Sequence, residues 1–156
     1  MEYKTSEIKA EMRKTVYAAQ EHLAIVINDE LLDVIIDEEY PEENFLGLIP
    51  TLLPVIPSRE EQDLVWERFK PEPEKPKMVP VLMCPEDLDL SCTTLIIKVI
   101  DFGEYIIWEK FGMDISGANG YPQSLGSRVE WLKKIKPMYF KKEQYMEMLE
   151  AFRQLQ

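Results

Sequence analysis

Apolar and polar residues recur along this chain first at helical spacing and then in short, β-branched runs. Ile8, Met12, Val16 and Ala19 are four, four and three residues apart, with Glu7, Lys9, Glu11 and Arg13 between them and Ser6 available as a cap. That spacing predicts an amphipathic helix over residues 6–20 whose apolar face covers a sheet. Leu23 to Ile27 and Leu31 to Ile36 are apolar runs flanking Asn28-Asp29-Glu30, which predicts a hairpin, because Asn and Asp tolerate turn conformations. The competing reading is one helix over 21–36, since runs this short fit either period.

Residues 37–57 break regular structure with Pro41, Pro50, Pro54 and Pro57, yet Phe45, Leu46, Leu48, Ile49, Leu52, Leu53, Val55 and Ile56 are too apolar for a solvated linker. This loop is expected to pack on the core; the alternative is an exposed apolar patch rimmed by the acids of residues 37–43. Ser58-Arg59-Glu60-Glu61 has the form of a capping box, and Leu64, Val65, Trp66 and Phe69 carry a helix over 59–69 that stops before Pro71. Pro71, Pro73, Pro76 and Pro80, interleaved with Lys and Glu, make residues 70–80 an extended surface connector. Strands are then predicted at Val81–Cys84, Cys92–Ile100, Tyr105–Phe111 and Arg128–Leu132, with a hairpin turn at Asp101-Phe102-Gly103-Glu104 and a glycine-rich loop over 112–127. Tyr145, Met148, Leu149 and Phe152 form a stripe on a helix within 141–156. The expected architecture is a single α+β domain over residues 1–156, an antiparallel sheet packed against an N-terminal, a middle and a C-terminal helix. A split at the proline segment would leave two pieces too small for cores of their own.

Charge changes what this domain is expected to do. Between Lys14 and Arg59 the chain runs 44 residues without Lys or Arg and carries nine carboxylates there, Glu21, Asp29, Glu30, Asp33, Asp37, Glu38, Glu39, Glu42 and Glu43. Residues 1–70 hold 16 acids and 7 bases, residues 71–156 hold 13 and 11, so most of the net charge of −11 is local to the first part. A directional negative surface of this kind attracts a basic protein and repels nucleic acid and anionic membrane. The competing reading is a solvated face without a partner. The late cluster Arg128, Lys133, Lys134, Lys136, Lys141 and Lys142, with Trp131 and Tyr139, is expected to pair with the chain's own acids rather than bind phosphate.

No catalytic set is recognisable. His22 is the only imidazole and no nucleophile signature surrounds any Ser or Cys, so it is expected to be structural. Cys84 and Cys92 are eight apart, unlike zinc ligands, and are expected to be buried in strands. Asp87 and Asp89 are the one candidate cation pair, with a polar turn as the simpler reading. The glycine loop matches neither a dinucleotide fingerprint nor a phosphate loop. No cofactor is expected. Two cysteines, no apolar leader and no run of about 18 apolar residues point to a soluble, reduced, cytoplasmic setting.

The segment Val79 to Thr93, the strand ending Trp108-Glu109-Lys110-Phe111-Gly112, and Val129-Glu130-Trp131 before Phe140-Lys141-Lys142-Glu143-Gln144-Tyr145 resemble small bacterial proteins found beside polymorphic toxins as immunity factors. The resemblance covers the last half of the chain. It implies a non-catalytic, acidic α+β protein that plugs the active site of a toxin. The resulting expectation is binding of a basic protein, such as a nuclease toxin domain, through Asp29, Glu30, Asp33, Asp37, Glu38, Glu39, Glu42 and Glu43, with Tyr40 and Phe45 as aromatic anchors. A metal-dependent hydrolase using Asp87 and Asp89, or a structural subunit joined through the proline-rich apolar loop, are the alternatives.

Overall fold

The computed structural model describes residues 4–86 and 89–156. Strands β1 (Ile8–Arg13), β2 (His22–Ile27) and β3 (Glu30–Leu31) form a three-stranded antiparallel sheet in that order. The predicted helix over 6–20 is therefore absent. Ile8, Ala10 and Met12 also alternate with Lys9, Glu11 and Arg13, and pairing with β2 from Ile8↔Ile27 to Arg13↔His22 selects that period of two over the period of 3.6. The hairpin between β2 and β3 turns at Asn28 (φ 50°) and Asp29 (φ 68°), both left-handed as a two-residue turn requires, and Asn28 Oδ1 accepts the Glu7 amide at 2.9 Å. The second arm is only two residues long. Leu31 is already a helix N-cap, and α1 (Leu32–Glu39) takes the rest of the run predicted to be strand, burying Leu32 and Ile36 one turn apart.

The second sheet contains β4 (Ile49–Pro50), β5 (Lys77–Met83), β6 (Thr94–Phe102), β7 (Tyr105–Asp114) and β8 (Val129–Trp131) in that order, and β9 (Met138–Lys141) pairs the other end of β7. All its strand pairings are antiparallel. The predicted turn joins β6 to β7, where Phe102 pairs with Tyr105. The register slips where Lys98 faces Lys110 but Val99 faces Trp108, leaving Glu109 as an extra residue. This bulge resets the alternation, so Trp108 and Phe111, an odd number of residues apart, both point into the core. Gly112 is needed where β7 meets β8: a Cβ there would lie 2.3 Å from Val129 Cγ1 and 2.7 Å from the Glu130 carbonyl oxygen.

Helix α2 (Arg59–Phe69) begins as predicted, with Ser58 Oγ accepting the Glu61 amide at 3.3 Å. The reciprocal half of the capping box is missing, because Glu61 turns inward: its carboxylate accepts the Leu90 amide at 3.0 Å and the Tyr121 hydroxyl. Burial pushes the Tyr121 hydroxyl above the usual phenol range, and the Glu61 carboxylate adds to the rise. Arg68 leaves the same helix to donate to the carbonyls of Met78, Leu125 and Gln123, clamping the glycine-rich loop onto β5. The connector is shorter than expected, since Lys77 to Pro80 already belong to β5.

Helix α3 (Lys142–Arg153) buries Tyr145, Met148, Leu149 and Phe152 as its stripe predicts, and packs on β1, β9 and β7. Its first residue is anchored by an ion pair, Lys142 Nζ lying 2.9 and 3.1 Å from the carboxylate oxygens of Asp101, which also accepts the Gly103 amide of the β6–β7 turn at 3.1 Å. The core is one cluster. Trp108 sits at its centre, edge-to-face with Phe140 at 4.9 Å, Phe111 at 6.0 Å and Tyr145 at 6.3 Å between ring centroids. Phe45, Leu48, Ile49, Leu52, Leu53 and Ile56 join that cluster, so the proline-broken loop packs on the core as expected and leaves Val55 exposed.

Candidate partner surface

Helix α1 divides the acidic run by its own geometry. Residues 32 and 36 face the core, so Asp33, beside Leu32, is carried inward and is 2 % exposed. Its Oδ2 accepts the Gly47 amide at 2.8 Å, which ties the loop after α1 to the start of the helix. Asp37 is half-buried, while Glu38 and Glu39 point to solvent. Tyr40 ends the helix, its amide bonding to the carbonyls of Ile36 and Asp37, and Pro41 to Asn44 then run exposed before Phe45 turns back into the core.

The predicted partner residues are thus split in two. Asp29, Glu30, Glu38, Glu39, Glu42 and Glu43 stand at the surface, with Asp37 at its edge, whereas Asp33 and Phe45 belong to the interior. Tyr40 is half-buried and committed to the fold: its hydroxyl accepts the Lys134 amide at 2.8 Å, its ring meets Phe45 edge-on at 6.3 Å, and Lys134 Nζ lies 5.1 Å from its centroid. An aromatic between acids looks like an anchor in the sequence; here it closes the core below them.

Among the described residues, the nine carboxylates of this stretch form one ion pair, Lys9 to Asp29 at 3.3 Å. The expected pairing with the late bases does not occur. Lys142 goes to Asp101, and Lys134 lies over the Tyr40 ring rather than on a carboxylate. The hairpin and α1 bring Glu30 and Glu38 together closely enough to share a hydrogen bond, and that contact holds Glu38 above the usual carboxylate range. A raised acid beside a like charge is what an uncompensated field produces.

Next to these acids opens a groove of about 740 Å³. Asp37, Glu43 and Glu86 contribute carboxylates to it, Leu46, Leu48 and Pro85 apolar surface, and Tyr17 a ring that is 74 % exposed. Gly47 (φ 95°) makes the floor under that ring, since a Cβ there would stand 2.4 Å from Tyr17 Cδ2. Among the described residues, no Lys or Arg lines the groove. Sequence reasoning misses Tyr17, which lies inside the predicted N-terminal helix, and Glu86, which lies in a polar turn, and it gives Leu46, in the apolar loop, no neighbours. No local motif joins the three: Leu46 precedes β4 and Glu86 follows β5, two paired strands, while Tyr17 reaches the groove from the β1–β2 connection over Gly47.

The other candidates make local contacts. His22 Nε2 lies 3.1 Å from Thr15 Oγ1 and Nδ1 lies 3.0 Å from its neighbour's carbonyl oxygen. Cys84 is half-buried and Cys92 exposed; both lie outside the strands, because β5 ends at Met83 and β6 begins at Thr94, which corrects the expectation of buried strand thiols. Asp89 accepts from the Ser91 amide at 2.9 Å and hydroxyl at 2.6 Å, the bonds of a polar turn. Asp87 lies outside the described residues. Among those described, no group of three or more His, Cys, Asp or Glu side chains is arranged to hold a metal ion, and no helix is long and apolar enough to cross a membrane.

Burial raises the Asp33 carboxyl above its ordinary range, against the opposing pull of the Gly47 and Val34 amides. The folded chain therefore holds this proton more tightly than the unfolded chain, and stability falls as pH rises from the unfolded carboxylate range through the folded value. Asp33→Asn keeps an acceptor for Gly47 and removes the titration. It is expected to match the parent near pH 3 and to exceed it at pH 7. Asp33→Ala leaves a buried amide unpaired and is expected to cost about 2 kcal/mol near pH 3, and less at pH 7, because it too lacks the titration that weakens the parent there. Urea unfolding of the three proteins at the two pH values checks this; Asp33→Asn falling below the parent at pH 7 would contradict it.

Comparison of the chain with protein-family models, with curated proteins and with solved structures gave no match.

Proposed function

We propose that this chain is a non-catalytic acidic binding protein of the immunity or inhibitor type, whose α1 face associates with a basic protein such as a nuclease toxin domain. The observation that carries the reading is the unneutralised group Glu30, Glu38, Glu39 and Glu42, exposed together beside α1 with no cation within 4 Å of any of them among the described residues. Carboxylates held without internal counterions lower their mutual repulsion when a cationic surface approaches, which accelerates encounter and selects partners by charge. The late lysines would have cancelled this field had they folded over it. The resemblance of the sequence segments in the last half of the chain to immunity factors points the same way.

The test is affinity capture from the source cell on the immobilised protein and on E30Q/E38Q/E39Q/E42Q, each washed at about 50 mM and about 500 mM salt, spanning Debye lengths from above to below 10 Å. A basic protein retained by the parent at low salt, released at high salt and not retained by the variant is the expected result. A partner held equally by both proteins at both salt levels would overturn the electrostatic mechanism. With the partner in hand, the variant is expected to associate about tenfold more slowly at low salt, with a smaller change in dissociation.

A further inference from the structure

The groove beside the acidic face combines features that a flat charged surface lacks. It is concave and large enough for a side chain together with its flanking backbone, since ligand clefts run from about 300 to 1,000 Å³ and this one measures about 740 Å³. Its charge is of one sign, from Asp37, Glu43 and Glu86, which come from three separate segments: α1, the loop after it, and the loop after β5. Its exposed aromatic, Tyr17, comes from a fourth segment, the turn after β1, and rests over Gly47, which has no side chain to lift it. Asp33, by holding the Gly47 amide, fixes the floor beneath.

We propose that this groove receives an arginine side chain projecting from a basic partner protein, its guanidinium stacked on Tyr17 and hydrogen-bonded to the carboxylates at the rim. The inference rests on the reading of the chain as an acidic binding protein and adds the residue type that is recognised. Arginine fits better than lysine for two reasons. Its planar group stacks on an aromatic face while donating in its own plane to carboxylates, and it is more weakly hydrated than an ammonium, so it gives up less on entering a half-enclosed groove. The apolar stretch formed by Leu46, Leu48 and Pro85 suits the methylene stem. The outer charges Glu30, Glu38, Glu39 and Glu42 do not line the groove and would act on encounter, whereas the groove would act on dissociation.

Fluorescence anisotropy with a labelled acetyl-Gly-Ser-Arg-Ser-Gly-amide peptide, compared with its lysine and citrulline counterparts, tests the proposal without the natural partner. Citrulline keeps the shape and removes the charge. The expected order of affinity for the parent protein is arginine, then lysine, then citrulline, with Tyr17→Ala weakening the arginine peptide about tenfold and D37N/E43Q/E86Q weakening it further. Tyr17 is 74 % exposed, so its substitution leaves the core intact. Equal binding of the arginine and citrulline peptides, undiminished binding to Tyr17→Ala, or no binding of the arginine peptide to the parent would each overturn the proposal. Those outcomes leave the α1 reading standing, because that reading is judged by E30Q/E38Q/E39Q/E42Q, which keeps every groove residue.

Discussion

Trp108→Ala is expected to lower the free energy of unfolding by about 4 kcal/mol, the upper range for removing a large aromatic from a closed core. The ring is fully buried and lies edge-to-face against Phe111, Phe140 and Tyr145, one neighbour on its own strand, one on β9 and one on α3. Its loss therefore opens the seam between sheet and helix at the point where three elements meet, and no neighbour can move in without leaving its own contacts. Trp108→Phe keeps most of the buried area and an aromatic partner for Phe140, so a loss of about 1–2 kcal/mol is expected. Urea denaturation followed by circular dichroism measures both, the midpoint moving while the slope stays constant. For a domain whose total stability lies near 5–15 kcal/mol, the alanine variant stands close to the edge of folding at physiological temperature. A loss below about 1 kcal/mol would show that the ring is not the keystone of this core.

The second large effect is expected at Glu61. Its carboxylate is 6 % exposed and takes two donors from distant parts of the chain, the Leu90 amide before β6 and the Tyr121 hydroxyl in the glycine-rich loop. Removing it in Glu61→Ala takes the acceptor from the Tyr121 hydroxyl and leaves the Leu90 amide with that hydroxyl alone, 3.1 Å away, at about 2 kcal/mol. Glu61→Gln retains an acceptor oxygen and is expected to recover most of that loss. The pair also gives a spectroscopic signature. Because Glu61 contributes to the upward shift of the Tyr121 hydroxyl, after burial itself, Glu61→Gln should move the Tyr121 ionisation back toward the ordinary phenol range without reaching it. Ultraviolet titration of the tyrosines reads this directly, and an unchanged Tyr121 transition in the glutamine variant would contradict the contact.

The two effects differ in how far they could be foreseen. The strand bearing Trp108 and the helix bearing Tyr145 are legible from β-branched runs and a helical stripe, since their neighbours in sequence already carry the pattern that the core demands. The capping box at Ser58 fixes the start of α2 equally well, because a cap is a local hydrogen bond. What it does not reveal is that Glu61 abandons the box for partners 29 and 60 residues away. The N-terminal segment fails for a related reason: Ile8 and Met12 satisfy both periods, and only the partner strand, out of reach of any local window, decides between them. Strand β9 went unseen because Met138 to Lys141 is four residues long and follows a proline.

The acidic face was legible as a charge but not as a shape. Nine carboxylates in one stretch look equivalent on paper; a helix of eight residues then sends Asp33 inward and Glu38 outward according to a rotation that the charge pattern does not encode. Tyr40, half-buried at the end of that helix, and Phe45, brought into the core by the loop beyond it, are spent on the fold, which leaves Tyr17 as the exposed aromatic of the groove. Surface properties of a fold with many long-range pairings are set by which segments converge, and convergence is the part of the structure furthest from composition.

Helix α3 lies across β1, and the Ser6 amide donates to the Tyr139 carbonyl oxygen at 2.7 Å. The opening hairpin is thus finished by residues more than a hundred positions later. A ribosome makes β1 more than a hundred residues ahead of α3, so Ile8 and its neighbours wait uncovered while the chain between them is made, and the closing contacts carry the loop-closure entropy of that separation. Nature's usual hazard at such a moment is sticking to another unfinished copy; the half-buried Lys9, Glu11 and Arg13, alternating along that first strand and paired with one another, are charges of the kind that discourage such contact until α3 is made.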